Sequence, residues 1–256
     1  MNRFRSLAVL LCAAMLTSCE KNGIQELMTS APGARIKFFN YGVNAPGVNF
    51  YANDAKMTAI GSATGTEAVI GTAYGSAGSG GFYSGVAPGQ YTLTGRIAAA
   101  TDKDVAISKL AASLADGKFY SYYQSGFYST TTKTVDAFIV EDSFVAEIDY
   151  SVAYVRFVNA ISNANPMTLY VKNRASGSEV TVGAAVPYKG AGAFVAVPNG
   201  VYDLSTRYTG VATNAISRAE VSLSAGLVYT IGARGDITVT STTAATRPIL
   251  ETSQNR

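Results

Sequence analysis

Residues 34–54, ARIKFFNYGVNAPGVNFYAND, align without a gap to residues 153–173, AYVRFVNAISNANPMTLYVKN. An internal repeat constrains the fold more than any other feature, because one pattern must build one structure twice. Phe38 matches Phe157, Asn40 matches Asn159, Asn44 matches Asn163 and Tyr51 matches Tyr170, all at an offset of 119. A second block pairs Val86-x-x-Gly89-x-Tyr91-x-Leu93-x-x-Arg96 with Val197-x-x-Gly200-x-Tyr202-x-Leu204-x-x-Arg207, at offset 111. A third pairs Leu114-x-x-Gly117-x-x-Tyr120 with Leu223-x-x-Gly226-x-x-Tyr229, at offset 109. The blocks keep their order, so the chain holds two homologous units of roughly 110 residues, a common domain size.

The units read as strands. Ile36 and Phe38 alternate with Arg35 and Lys37, and Val155 and Phe157 alternate with Tyr154 and Arg156. That is period 2 with one buried face. Pro88-Gly89 and Asn199-Gly200 separate apolar runs and read as hairpin turns. Further strands are expected in repeat 1 at 66–70, 82–86, 90–96, 105–110, 118–123 and 135–140, with counterparts in repeat 2; only 105–115 has a faint helical look. This density of short strands predicts an all-β chain of two tandem immunoglobulin-like antiparallel β-sandwich domains, residues 33–145 and 146–256. Between the first and second blocks the offset falls by 8, so repeat 1 carries an insertion. Its expected site is the Gly/Ser-rich stretch 71–81, which reads as a flexible loop.

The opening strand ending Phe-x-Asn, the Ala-Pro turn at 45–46, the Val-x-Phe-Tyr strand and the later Gly-x-Tyr and Leu-x-x-Gly-x-x-Tyr blocks resemble the domain of unknown function 4397 family. The resemblance spans nearly all of the chain beyond residue 32, twice over. Tyr229-Thr230 keeps that family's ending and Tyr120-Ser121 departs from it. The resemblance implies an exported bacterial protein or lipoprotein with tandem copies. It implies no activity, and no site residue transfers from it.

The N-terminus reads as a targeting segment. Arg3 and Arg5 precede an uncharged run, Leu7–Leu16, which ends in Leu16-Thr17-Ser18-Cys19. A run that short is a secretory h-region rather than a membrane span. Its end resembles the bacterial lipobox, which implies cleavage after Ser18, a lipid on Cys19 and a stable membrane anchor from more than one acyl chain. Residues 1–18 are then the signal peptide and 19–32 the lipidated cysteine with its tether. Cys12 leaves with the signal, so no internal disulfide can form. The rest of the chain holds 18 basic and 17 acidic residues, with no basic stripe, so nucleic acid is not an expected partner. The expected location is the bacterial cell envelope, with the outer membrane as the default.

The chain has no histidine and no tryptophan. Without histidine there is no Ser-His-Asp or Cys-His catalysis and no His-ligated zinc. No phosphate loop, Cys-x-x-Cys or dinucleotide fingerprint occurs, so neither a cofactor nor a metal site is expected. The chain is therefore read as a non-enzyme, structural or binding an envelope protein or a glycan.

Candidate ligand contacts are residues that only one repeat has. Tyr122, Tyr123, Phe127 and Tyr128 stand opposite Ile231, Gly232, Asp236 and Ile237, so the shared fold does not require their rings. With Tyr74 and Tyr83 they read in one of two ways: as a Tyr-rich patch suited to a sugar or a protein, or simply as the Tyr and Phe that β-strands favour. An alternative reading, carbohydrate capture in a polysaccharide-uptake system, needs these rings together on one exposed patch. A third, a carboxylate-pair hydrolase, needs two acids across a cleft. Tyr91 and Tyr202 resemble the tyrosine corner of Greek-key sandwiches. Asn40 and Asn159 are expected to tie down the loops after their strands. Glu141, Asp142, Glu147 and Asp149 cluster at the repeat junction; lacking a calcium-loop pattern, they read as a solvated linker.

Overall fold

The computed structural model describes residues 32–58 and 69–256. The signal peptide, Cys19, the tether up to residue 31 and most of the expected strand 66–70 lie outside these residues; Val69 and Ile70 form a turn. Repeat 1 supplies β1 (Ala34–Asn40), β2 (Val48–Ala52), β3 (Ala55–Lys56), β4 (Ser76–Ala77), β5 (Ser84–Val86), β6 (Gly89–Ile97), β7 (Ala106–Leu114), β8 (Phe119–Ser129) and β9 (Thr134–Glu141). Repeat 2 supplies β10 (Val152–Asn159), β11 (Met167–Asn173), β12 (Glu179–Val186), β13 (Gly190–Ala191), β14 (Val195–Pro198), β15 (Gly200–Tyr208), β16 (Ile216–Leu223), β17 (Val228–Arg234) and β18 (Ile249–Gln254).

Each repeat is a two-sheet sandwich, and among the described residues no sheet mixes strands of the two repeats. In repeat 1 one sheet runs β4-β1-β8-β9, with β5 also on β1, and the other runs β3-β2-β6-β7. Repeat 2 copies this as β13-β10-β17-β18, with β14 on β10, and β12-β11-β15-β16. The pairing is antiparallel except at β1–β8 and β10–β17, which are parallel. Here the first two strands of each repeat sit in opposite sheets, whereas the immunoglobulin constant arrangement keeps its first two strands in one sheet. The expected tandem sandwich therefore forms with a different strand order. It also changes the role of Pro88-Gly89 and Asn199-Gly200. They are not hairpin turns, because β5 and β14 pair with one sheet while β6 and β15 belong to the other.

Each sandwich buries the predicted alternating face. Ile36, Phe38, Val48, Phe50 and Leu93 close the first core, where the Phe38 and Phe50 rings stack at 5.1 Å. Val155, Phe157, Leu169, Val171 and Leu204 close the second. The stretch 105–115 is a strand, β7, not a helical turn. Its Ile107, Ala112 and Leu114 all join the first core.

Two further expectations are corrected. The Gly/Ser-rich stretch is not a structureless loop: Ser76 and Ala77 pair with Asn40 and Phe39. The equivalent pairs in repeat 2, Gly190 with Asn159 and Ala191 with Val158, set an offset of 114 at that point. The insertion is thus split, with five residues before Ser76 and three in the turn between β4 and β5. That turn, 78–83, has a 3-10 segment at Gly78–Gly81; residues 192–194 replace it in repeat 2.

The second correction concerns the face that Arg35 and Lys37 share. It is not a solvent face. Gly33–Arg256 form one compact unit, and the β1-containing sheet of repeat 1 packs on the β10-containing sheet of repeat 2. Phe39, Tyr41, Tyr123 and Phe138 meet Val158 and Ala160 there. A Cβ on Gly232 would sit 3.1 Å from the Tyr41 ring, so glycine makes room for that ring.

Candidate functional site: the junction between the repeats

β1 and β10 each aim one cation out of their own sandwich and into the junction. Lys37 and Arg156 are repeat equivalents, 2% and 1% exposed. Arg156 is fully engaged. Its Nη2 bonds the Asp142 carboxylate, Nη1 donates to the Glu141 carbonyl at 3.1 Å, and Nε donates to Thr230 Oγ1 at 2.9 Å. Asp142 also accepts from Tyr83 at 2.6 Å and from Ser121 at 2.8 Å. A carboxylate and a guanidinium this deeply buried are tolerable only when each is paired and hydrogen-bonded. Asp142 is therefore no part of a solvated linker, whereas Glu141, Glu147 and Asp149 are exposed.

The junction repeats its contacts in both directions, as a self-complementary interface does. Lys37 Nζ donates to the Gln254 carbonyl at 2.6 Å, the counterpart of Arg156 to Glu141. Thr230 Oγ1 donates to Asn255 Oδ1 at 2.8 Å, the counterpart of Ser121 to Asp142. Lys37 lies over the Tyr83 ring at 4.4 Å, and Arg156 lies over Phe194 at 4.7 Å. Tyr74 faces Arg234 at 4.8 Å, while Tyr188 meets Ser125 at 3.0 Å.

Beside Lys37 the junction opens into a groove of about 550 Å³ between the 78–83 turn and β18. Lys37, Phe39, Phe82, Tyr83, Thr252 and Asn255 are among its lining residues. Burial lowers the Lys37 ammonium to about 8, with Asp142 pulling it up and Arg156 pushing it further down. Burial and then Asp142 push the Tyr83 hydroxyl far above its usual value, so it stays protonated and donates. The acids nearby are already committed. Asp142 belongs to Arg156, and Glu251 accepts from Arg234 at 2.6 Å with Arg218 at 3.7 Å. Among the described residues no cluster of three or more His, Cys, Asp or Glu side chains could hold a metal.

The four predicted ring positions do not form a patch. Tyr122 is fully buried in the first core, and Tyr123 is 1% exposed in the junction. Tyr128 packs on the first core. Only Phe127 stands out, at 46% exposed. Tyr74 and Tyr83 line the junction as described. The physical reason is that both faces of β8 are covered up to Ser125, even positions facing the core and odd ones the junction, and Phe127 reaches solvent only beyond the irregularity after Ser125. Tyr122 belongs to a buried polar chain. Its hydroxyl donates to Ser108 at 3.0 Å, Ser108 donates to Gln124 Oε1 at 2.9 Å, and Gln124 Nε2 donates to Asn40 Oδ1 at 2.8 Å. Asn40 donates onward to the Thr72 and Pro46 carbonyls at 2.9 and 3.1 Å. Carbohydrate capture through these rings loses its site.

The shared polar residues sit as structural ties. Tyr91 and Tyr202 donate to the carbonyls of Ala87 and Pro198, four residues back, at 2.8 and 2.7 Å. Tyr120 and Tyr229 accept the amides of Ala115 and Ser224, each at 3.1 Å. Asn159 accepts the Ile161 amide at 3.0 Å. Lys37, Arg156 and Asp142 were missed as a group. The signal that points to them is the repeat alignment itself, which sets Lys37 against Arg156 at offset 119.

No family model matches the chain, and no curated protein matches it. Among solved structures, the crystal structure of a "putative cell adhesion protein" from Bacteroides ovatus ATCC 8483 is similar. The identity is 10%, the match covers 88% of this chain and 96% of that one, and the TM-score is 0.23. Among the described residues no helix is long and apolar enough to cross a membrane.

Proposed function

We propose that the chain is a non-enzymatic cell-envelope lipoprotein, tethered to the outer membrane through a lipid on Cys19, whose two fused sandwiches form a rigid binding head for an envelope protein or glycan. The observation that carries the non-enzymatic part is the fate of the acids at the groove. Asp142 and Glu251 are tied to arginines that hold the fold together, and a carboxylate so held is a poor general acid or base. The lipid part is supported by the uncharged run ending in Leu16-Thr17-Ser18-Cys19. Cys19→Ala should abolish incorporation of radiolabelled fatty acid and move the protein from the membrane to the soluble fraction. Continued labelling would overturn the anchor.

A further inference from the structure

Two equivalent cations meet at the junction, and only one has a counter-ion. Arg156 has Asp142. The position equivalent to Asp142 is Asn255: the Asp142 amide donates to Phe119 O and the Asn255 amide to Val228 O, each at 2.7 Å. Asn255 carries no charge. It accepts from Thr230 and donates to the Tyr83 hydroxyl at 2.8 Å. Lys37 is left with a carbonyl and a ring face, and makes no ion pair among the described residues. The charged and titratable groups around it are Asp142, Arg156, Tyr83, Glu251 and Arg256. Both acids are bound by arginines, and Arg256 lies over the Phe119 and Phe144 rings at 5.1 and 4.3 Å. An ammonium taken out of water without a counter-ion is disfavoured.

The groove opens at this cation. Its wall is the 78–83 turn, three residues longer than its counterpart in repeat 2. Phe82, 77% exposed, stands at the rim. An apolar ring and an unneutralised cation thus converge on a cavity whose volume lies in the usual range for a small-ligand site.

We propose that this groove binds a carboxylate-bearing ligand, whose carboxylate meets Lys37 Nζ and supplies the counter-charge that Asn255 lacks. Phe82 covers the ligand's apolar face. The proposal rests on the reading of the chain as a binding protein and names the ligand's chemistry. Acidic sugars and acidic peptides both offer a carboxylate, and the test separates them.

The full chain in a neutral detergent is titrated calorimetrically with trigalacturonate, with triglutamate and with their uncharged counterparts. Lys37 is followed by NMR of 13Cε-labelled lysine. The expected result is binding of an acidic probe about tenfold or more tighter than its neutral counterpart, with a rise in the Lys37 pKa on binding. Binding by one acidic probe alone identifies the source as sugar or peptide. Lys37→Met should weaken binding about tenfold or more. Asn255→Asp should raise the Lys37 pKa in the free protein and weaken the ligand similarly, because the counter-charge is then internal. Phe82→Ala, at an exposed position that folding does not need, should weaken binding too. Absence of binding by either acidic probe, or binding unchanged in all three variants, overturns the site. Neither result bears on Cys19 labelling, which decides the envelope reading separately.

Discussion

In repeat 2 the space between the sheets is filled at one level by Ile216, Ile231 and Ala233; in repeat 1 the same positions are Ser108, Tyr122 and Gln124. The equivalence follows from matching registers: Phe38 pairs with Tyr122 as Phe157 does with Ile231, and Asn40 with Gln124 as Asn159 does with Ala233. Gly95 completes the set against Thr206, and a Cβ at Gly95 would run into Ser108 Oγ at 2.7 Å. One backbone plan thus holds an apolar centre in one copy and a chain of hydrogen bonds in the other. The chain ends on the Thr72 carbonyl, and its last bond has a counterpart in repeat 2, where Asn159 donates to the Val186 carbonyl at 3.2 Å. Repeat 2 keeps that last bond without the chain behind it.

The junction shows the same divergence between equivalent positions, and there the largest effect is expected. Asp142→Ala leaves the Arg156 guanidinium buried without its carboxylate and should cost about 3–5 kcal/mol in guanidinium unfolding. Asn255→Ala removes only neutral hydrogen bonds at the equivalent position and should cost about 1–2 kcal/mol. Equal losses from the two variants would show that Asp142 acts as another amide-like tie, and the asymmetry between Arg156 and Lys37 would have no energetic basis.

The polar centre gives the next effect. Gln124→Leu leaves Asn40 Oδ1 and Ser108 Oγ buried without their partner and should cost about 2–4 kcal/mol. Transplanting the whole repeat-2 set, Gly95→Thr with Ser108→Ile, Tyr122→Ile and Gln124→Ala, removes the partners together and should cost less than Gln124→Leu alone. A transplant costing more than the single change would mean that the two centres are not interchangeable solutions on one backbone.

The strands and their pairing into two copies were legible because periodicity and repetition are local signals. Ile36, Phe38, Val155 and Phe157 face inward as alternation requires. The covering of the opposite face was not legible, because packing of one sandwich on another leaves no period in the sequence. Lys37 and Arg156 look like solvent-facing charges until a second sheet covers them. Tyr123 misleads for the same reason: a ring absent from the other repeat suggests a ligand, yet here it stacks between Phe39 and Phe138 in the junction. Only the pairing of Lys37 with Arg156 across the alignment gives a cue, since two cations at one repeat position mark that position as special.

The smallest effect separates what the two copies share. Tyr91 and Tyr202 make the same bond to a carbonyl four residues back, so a purely sequence-based comparison predicts equal losses for Tyr91→Phe and Tyr202→Phe. Their surroundings differ. Tyr202 is 2% exposed and its bond is partly buried, whereas the Tyr91 bond is exposed. A carbonyl open to water replaces a lost hydroxyl with solvent, and a shielded one does not. Tyr202→Phe should therefore cost about 1–1.5 kcal/mol and Tyr91→Phe about 0.5 kcal/mol, read as denaturation midpoints at unchanged m. Equal losses would mean that the corner works through chain geometry alone. The predicted inequality would mean that repeat 2 keeps its corner drier, in line with its apolar centre.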